Sequence, residues 1–337
     1  MKQDAFPLLV AEIANCHAGN DDYLLELVAG LCQTSADAIK FQLIIADELL
    51  APHHSQYSLF KSLEFSSSFW KKIVGRVKAA NKKVAFDVFG DRSLELAVGL
   101  NADLFKIYAS DVDDLPFIKK VIGLKKKVFV STGGAELKEI EKIIKLPGSN
   151  NICFLLGFQS FPTPLEEAHL NRLEYLREHY GCSVGFMDHG DARDLFATIL
   201  PCLAVSKGAC VVEKHVYLAN RKKTYDWQSA IDFHELDKLR ALLIRTRAAC
   251  GSGDFNLTKL EKEYFIKKRK LAVAARDIEA GEKLKNDLVA FKLGEVAGGE
   301  KSLYRKGITD YLGKNFRRGV KKDDILLKNM FTKGRKK

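Results

Sequence analysis

No stretch of this 337-residue chain approaches the roughly 18 apolar residues in a row that a membrane helix needs. The N-terminus, MKQDAFPLLVAEIANCHAG, also lacks the long apolar segment that leads a secreted protein. Together these absences predict a cytoplasmic protein with no membrane partner. The seven cysteines (Cys16, Cys32, Cys153, Cys182, Cys202, Cys210 and Cys250) include no CxxC pair. Their odd number and their placement mostly in apolar runs argue against a disulfide framework and for reduced thiols. Also missing is a G-x-G-x-x-G after the first strand-like run, where CHAGN stands instead. That counts against a doubly wound dinucleotide-binding sheet.

What is present is an ordinary globular composition, 47% hydrophobic and 29% charged. The chain is long enough for a large core and more than one domain. Its net charge of +11 is lopsided. Residues 259–337 hold 23 Lys and Arg against 11 Asp and Glu, a net of +12, leaving the first 258 residues at −1. Such a basic segment suits nucleic acid or a positive lid over an anionic substrate. Its aromatic residues, among them Phe265, Phe291, Tyr304, Tyr311 and Phe316, form no recognised stacking motif, which weighs against nucleic acid.

Eight short apolar runs recur along the chain, at 8–14, 38–44, 83–89, 104–110, 127–133, 152–158, 183–189 and 210–218. Segments between them, such as DDYLLELVAGLCQ and AELKEIEKIIKL, space their apolar residues at helical intervals. Eight β-then-α units predict a (β/α)8 TIM barrel over residues 1–250. A polar linker is expected at 251–267. From 268 to 337 the texture changes to short strands, turns and glycines, which predicts a small second domain.

Barrel enzymes keep their chemistry at the C-terminal ends of the strands. Alternate residues of a strand share a face, so each run can be read for what it presents there. Glu12, Lys40 with Gln42, Lys106 with Tyr108 and Ser110, Ser131, His189, and Glu213 with His215 all fall near such ends, and Lys214 points the other way. Polar groups at core strand ends are costly to bury without partners. A shared pocket for an anion and a divalent metal explains them together, with His189 and His215 as the metal pair. The turn Ser131-Thr132-Gly133-Gly134 enters a helix and offers backbone N–H groups to phosphate.

The motifs AEIANCHAG, IKFQ, FKIYASD, STGG, FPTPLEEAHL, MDHG and EKHVYL occur in the order and spacing of the sialic acid synthase family, which the chain resembles over nearly its whole length. The segment AARDIEAGEKLKNDLVAFK resembles that family's antifreeze-like (SAF) domain. The resemblance implies condensation of phosphoenolpyruvate with a mannosamine-type aldose to give a nine-carbon 2-keto acid. It further implies Mn2+ or Mg2+ on His189 and His215, and a homodimer with exchanged SAF caps. Phosphoenolpyruvate contacts are implied for Lys40, Lys106, Ser110 and Ser131. Gln159 stands at a family asparagine, and Glu12 and Gln42 stand at polar active-site positions. Glu12 and Glu213 are both candidates for the acid/base, with their roles undivided.

Departures from the family pattern cluster on the sugar side. Cys16 and Ala18 replace asparagines around the first-motif histidine, Met187 replaces the serine two before His189, and Phe161 replaces a tyrosine. The usual Gly-Pro-Asp-His reads Thr224-Tyr225-Asp226-Trp227, and Lys292 stands where an arginine reaches the sugar's N-acetyl group. Lysine lacks that planar fork. A more apolar acceptor pocket (Met187, Phe161, Trp227) predicts a deoxygenated sugar, such as a 6-deoxy di-N-acetylamino hexose. Other readings are a 3-deoxy-ald-2-ulosonate synthase, a Schiff-base lyase on Lys40 or Lys106, and a non-catalytic sugar- or nucleic-acid-binding homologue.

Overall fold

The computed structural model describes residues 6–160, 162–221, 224–294 and 301–332. The chain divides into two compact units, Met1–Gly251 and Ser252–Lys337. In the first, eight parallel strands close a barrel: β1 (Leu8–Glu12), β2 (Ala38–Gln42), β3 (Lys83–Val88), β4 (Leu104–Ile107), β5 (Lys127–Ser131), β6 (Ile152–Leu156), β7 (Ser183–Asp188) and β8 (Val211–His215). Each strand pairs with its sequence neighbours, and β1 closes the ring against β8 with Glu12 opposite His215. Every apolar run of the sequence contains one of these strands. The strands end before the runs do, because the last residues of each run turn into the loop above the barrel.

The crossovers are helices whose ends are written locally. Ser66 accepts a hydrogen bond from the Phe69 N–H and starts Ser67–Ala79, which buries Trp70, Ile73, Val74 and Val77 at helical spacing. Asp114 caps Leu115–Ile122 through the Phe117 N–H, with Pro116 in the first turn, where its missing N–H costs nothing. Asp232 and Glu235 form a reciprocal box at the start of Phe233–Cys250, the last helix of the barrel.

Strand parity sorts the core into two clusters. Outward residues such as Ile39, Phe86, Phe105, Val130, Phe154 and Val212 pack under the helices. Inward residues Val10, Ala38, Ala85, Leu104, Phe129, Cys153, Leu155 and Val211 fill the barrel's base. Two residues further along six of these strands the inward position turns polar, and that layer forms the site.

The second unit has its own small core around Ala272, Ile278, Leu288, Leu303, Phe316 and Leu326. Among its described residues one regular sheet pairs β9 (Leu271–Ala274) antiparallel with β10 (Val289–Lys292). The stretch expected as linker contains a helix, Lys259–Lys268, opened by a box between Thr258 and Glu261. Among the described residues no helix is long and apolar enough to cross a membrane.

Candidate active site

Six strands each place one polar side chain in the upper inward layer, directly above a base-layer residue two positions earlier. Glu12 stands above Val10, Lys40 above Ala38, Asp87 above Ala85, Lys106 above Leu104, Ser131 above Phe129 and Glu213 above Val211. Seven groups there are almost fully buried: Glu12, Lys40, Asp87, Lys106, Ser131, Glu213 and His215.

Their pairing follows the strand order. The Lys40 Nζ lies between Glu12 and Asp87 in contact with both, and 3.6 Å from Glu213 Oε1. The Lys106 Nζ donates to Glu213 Oε1 at 2.6 Å and lies 3.9 Å from Asp87 Oδ1. Glu12 Oε1 also accepts the Ala14 N–H at 2.8 Å, so its orientation is set by the turn that follows β1.

Three carboxylates cannot all be charged beside two ammonium groups at no cost, and the environment separates them. Burial lifts the Glu12 carboxyl to about 8; Lys40 opposes that rise, and the charges of Glu213 and Asp87 add to it. Burial would raise Glu213 too, but Lys106 and Lys40 outweigh it and hold this carboxyl below its ordinary value. Burial alone would lower Lys40, yet Asp87, Glu12 and Glu213 raise it well above normal. With Glu12 protonated, Asp87 and Glu213 balance the two lysines.

His189 follows β7 and His215 ends β8, with ring centroids 5.0 Å apart. Burial lowers both well below an ordinary histidine, and the neighbouring imidazole and lysine charges add to the effect. Both rings are therefore neutral, and each Nδ1 is buried without a hydrogen-bond partner. Their backbone is tightly held. The His189 carbonyl accepts from the Thr163 N–H at 2.8 Å and from the Ser229 hydroxyl at 2.7 Å, and the His215 carbonyl accepts from the Ile231 N–H at 2.9 Å. Behind them, on the outward face, Lys214 and Asp188 form a fully buried ion pair at 2.7 Å. Asp188 also accepts the Gly190 N–H at 2.9 Å.

The rim of the pocket carries Gln42, Tyr108, Phe158, Gln159 and Met187. The Gln159 amide donates to Asp226 Oδ1 at 3.0 Å, and Asn15 donates to Gln42 Oε1 at 3.0 Å. Gly157, at φ +134°, lets β6 turn close to β7, since a Cβ there would lie 2.2 Å from the Met187 carbonyl oxygen. Beyond this rim lies an outer chamber. One wall is apolar, from Leu49, Leu50, Leu59, Phe60 and Leu63, and one edge is polar, from Asn15, Gln159, Tyr225 and Asp226.

The structure thus brings Glu12, Lys40, Gln42, Lys106, Ser131, Gln159, His189, Glu213 and His215 around one pocket. Asp226 lies in the adjoining chamber. Ser110 does not reach the central cluster. Alternation ends with β4 at Ile107, and Ser110 sits exposed in the turn Ala109–Asp111, lining the outer chamber only. Phe161 lies outside the described residues. Trp227 is not at the rim and lies beneath the Arg193 guanidinium, 5.9 Å from its ring centroid. Lys292 belongs to the second unit, where its ammonium pairs with Asp323 at 2.5 Å. Sequence reasoning missed Asp87, whose one signal was a lone acid of inward parity in the apolar run KVAFDVF. It also missed the wall formed by the short helices Ala46–Leu49 and Tyr57–Ser62 after β2.

Comparison with known proteins agrees with the barrel fold and the small second domain. The NeuB family matches residues 27–255, and the SAF domain matches residues 269–332. The chain is 27% identical to the N,N'-diacetyllegionaminic acid synthase of Campylobacter jejuni, covering 95% of this chain and 98% of that one. It is 26% identical to a pseudaminic acid synthase of the same organism, covering 96% of each. It is 25% identical to the N-acetylneuraminate-9-phosphate synthase of Mus musculus, covering 86% and 84%. The fold matches the crystal structure of a spore coat polysaccharide biosynthesis protein E from Chromobacterium violaceum, with a TM-score of 0.81 and 24% identity over 97% of this chain and all of that one. The chain belongs to the NeuB family, that of the sialic, legionaminic and pseudaminic acid synthases, and ends in an SAF domain.

Proposed function

We propose that this chain joins phosphoenolpyruvate to an open-chain aldose of mannosamine or 6-deoxy-diamino type and releases inorganic phosphate by C–O cleavage. The observation that carries this reading is the buried cluster in which two lysines meet one protonated and one ionised glutamate beside two neutral histidines.

Lys40 and Lys106 hold the donor's phosphate and carboxylate by charge-assisted hydrogen bonds, exchanging part of their contact with Asp87 and Glu213 to do so. Ser131 and the backbone N–H groups of the turn after β5 add neutral donors. Carbon 3 of the enol ester attacks the aldehyde carbon, and the aldehyde oxygen takes up a proton. Glu12, kept protonated by its burial, supplies it. Water then adds at carbon 2 and gives its proton to the ionised Glu213. The C–O bond of the tetrahedral intermediate then breaks as its hydroxyl passes its proton to the departing phosphate, which leaves the 2-keto group. Two carboxylates with environments pushed apart divide acid from base work in this way.

His189 and His215 fit a divalent ion, Mn2+ or Mg2+. Each is neutral, and each carries a buried nitrogen whose missing partner a cation would replace. Among the described residues no group of three or more such ligands occurs, so water and substrate would complete the shell. When bound, the ion supplies Lewis-acid polarisation of the sugar's carbonyl oxygen.

The acceptor side supports a deoxygenated sugar. Met187 faces the reacting centre, and the outer chamber's stretch of Leu49, Leu50, Leu59, Phe60 and Leu63 is apolar apart from Gln56, while Gln159 and Asp226 suit amide or hydroxyl groups. A phosphate-release assay across a panel of aldoses tests both levels. Turnover with 6-deoxy-diamino hexoses is expected. Preference for N-acetylmannosamine would overturn the acceptor assignment, and no phosphate release with any aldose would overturn the reaction.

A further inference from the structure

One charged group of the pocket has no task in the proposed reaction. Asp87 on β3 is completely buried, at 0% exposure, and lines the pocket beside both lysines. Strand pairing fixes where it stands. It lies opposite Gln42 of β2 and Lys106 of β4, and its carbonyl accepts the Leu43 N–H at 3.1 Å. Its two carboxylate oxygens have different surroundings. Oδ2 is held by the Lys40 ammonium, whereas Oδ1 lies 3.9 Å from the Lys106 Nζ, too far for a hydrogen bond. Among the described residues Oδ1 has no hydrogen-bond partner, although it is buried. Glu12 and Glu213 each carry one such oxygen too, but those two side chains already have the proton transfers. An orphaned acceptor in a pocket wall is costly, and a donor on the ligand would satisfy it.

We propose that Asp87 selects protonated oxyanions: its Oδ1 accepts the P–O–H hydrogen of a phosphate group held by Lys40 and Lys106. The inference rests on the reading of this pocket as the donor's seat. An ionised carboxylate can only accept hydrogen bonds. Beside an oxyanion that carries no hydrogen it repels, and burial leaves that repulsion poorly screened. Beside a phosphate that carries one, the same oxygen gains a charge-assisted bond. Inorganic phosphate near neutral pH and a singly protonated phosphate monoester both offer that hydrogen. Sulfate, of similar size and shape, does not.

The groups facing Asp87 leave this role to the ligand. Lys40 is in contact with Glu12 and with Oδ2, Lys106 donates to Glu213 at 2.6 Å, and Tyr108 stands at the rim. The hydrogen phosphate released by the reaction therefore satisfies an oxygen that no described protein group reaches. A site that reads a hydroxyl with a buried acceptor rejects the analogue lacking it, because the acceptor is then stranded.

The test is calorimetric titration of the whole folded chain with inorganic phosphate, sulfate and phosphoenolpyruvate at neutral pH and matched ionic strength. The unsubstituted chain is expected to bind phosphate at least about tenfold more tightly than sulfate, the worth of one charge-assisted hydrogen bond. In Asp87→Asn the amide offers a donor where the carboxylate offered none, so sulfate should bind more tightly than before and the preference should collapse. A merely structural role for Asp87 would weaken both anions together, and that outcome, or an unchanged preference in the variant, overturns the inference. Equal affinity for phosphate and sulfate in the unsubstituted chain also overturns it, while binding of phosphoenolpyruvate there keeps the donor reading. Binding of neither phosphate nor phosphoenolpyruvate overturns both. Asp87→Ser repeats the variant arm with a smaller side chain, and the unsubstituted chain decides the matter if neither variant folds.

Discussion

The two inward layers of the barrel come from the same strands, one step of alternation apart, and they obey opposite rules. In the base layer Val10, Ala38, Ala85, Leu104, Phe129 and Val211 meet as apolar surfaces of different sizes. In the upper layer Lys40, Asp87, Lys106 and Glu213 meet as charges beside the protonated Glu12, equally removed from water. The base gains from every methylene it hides, about 25 cal/mol per Å2. The upper layer loses on desolvation and recovers it only while each charge keeps its partner. Stability is therefore concentrated in one layer and specificity in the other, and substitutions in the two should fail in different ways.

Lys40→Met should have the largest effect. It leaves Glu12 and Asp87 buried without their shared cation, and breaking a buried pair from one side costs about 3–5 kcal/mol. Denaturant unfolding should show that loss together with abolished phosphate release. Leu155→Ala in the base should cost about 2–5 kcal/mol by leaving a cavity. In contrast to the lysine change, steady-state kinetics should leave KM for phosphoenolpyruvate close to its starting value. A comparable loss of substrate binding in both variants would erase the distinction between the layers.

Glu12→Gln sharpens the comparison through pH. In the proposed mechanism Glu12 acts in its protonated form, so kcat/KM should fall as pH rises through about 8, and the variant should lose that limb along with most of its activity. Stability moves with the same sign. Between the ordinary value of 4.5 and about 8 the folded chain holds this proton and the unfolded chain does not. Glu12 thus favours the fold at low pH, its contribution is lost as pH approaches 8, and unfolding curves of the glutamine variant should lack that slope. The smallest effect should come from Ser110→Ala, an exposed position where substitutions usually change stability by under about 0.5 kcal/mol. Kinetics with phosphoenolpyruvate should register Ser131→Ala far more than Ser110→Ala, and equal effects would place the donor's phosphate further out than the lysines.

How legible all this was depended on whether a feature was periodic. Parallel strands covered on both sides appear as nearly continuous apolar runs, so eight of them could be recognised without any motif. Where alternation persisted to the strand end, as with Glu213 and His215, the facing residues followed correctly. At Ser110 the strand had already ended, and parity no longer carried information. Asp87 shows the opposite failure: its parity was available, but a single acid among apolar residues has no partner until Lys40 and Lys106 arrive from neighbouring strands. The helix Lys259–Lys268 was marked by Thr258 and Glu261, a start signal outweighed by the polarity of its surroundings.

The ion pair on the outer face of β7 and β8 bears on how the barrel closes. Asp188 and Lys214 stand directly opposite one another in the strand register, and neither is exposed. Sliding β8 by a single residue would swap its two faces. Lys214 would enter the interior, His215 would face the helices, and Asp188 would be sealed in the wall alone. Such a mismatch is among the most costly a folding chain can make. The pair therefore acts as a proofreading device during assembly: the ring can shut firmly only in the alignment that also sets the two histidines side by side.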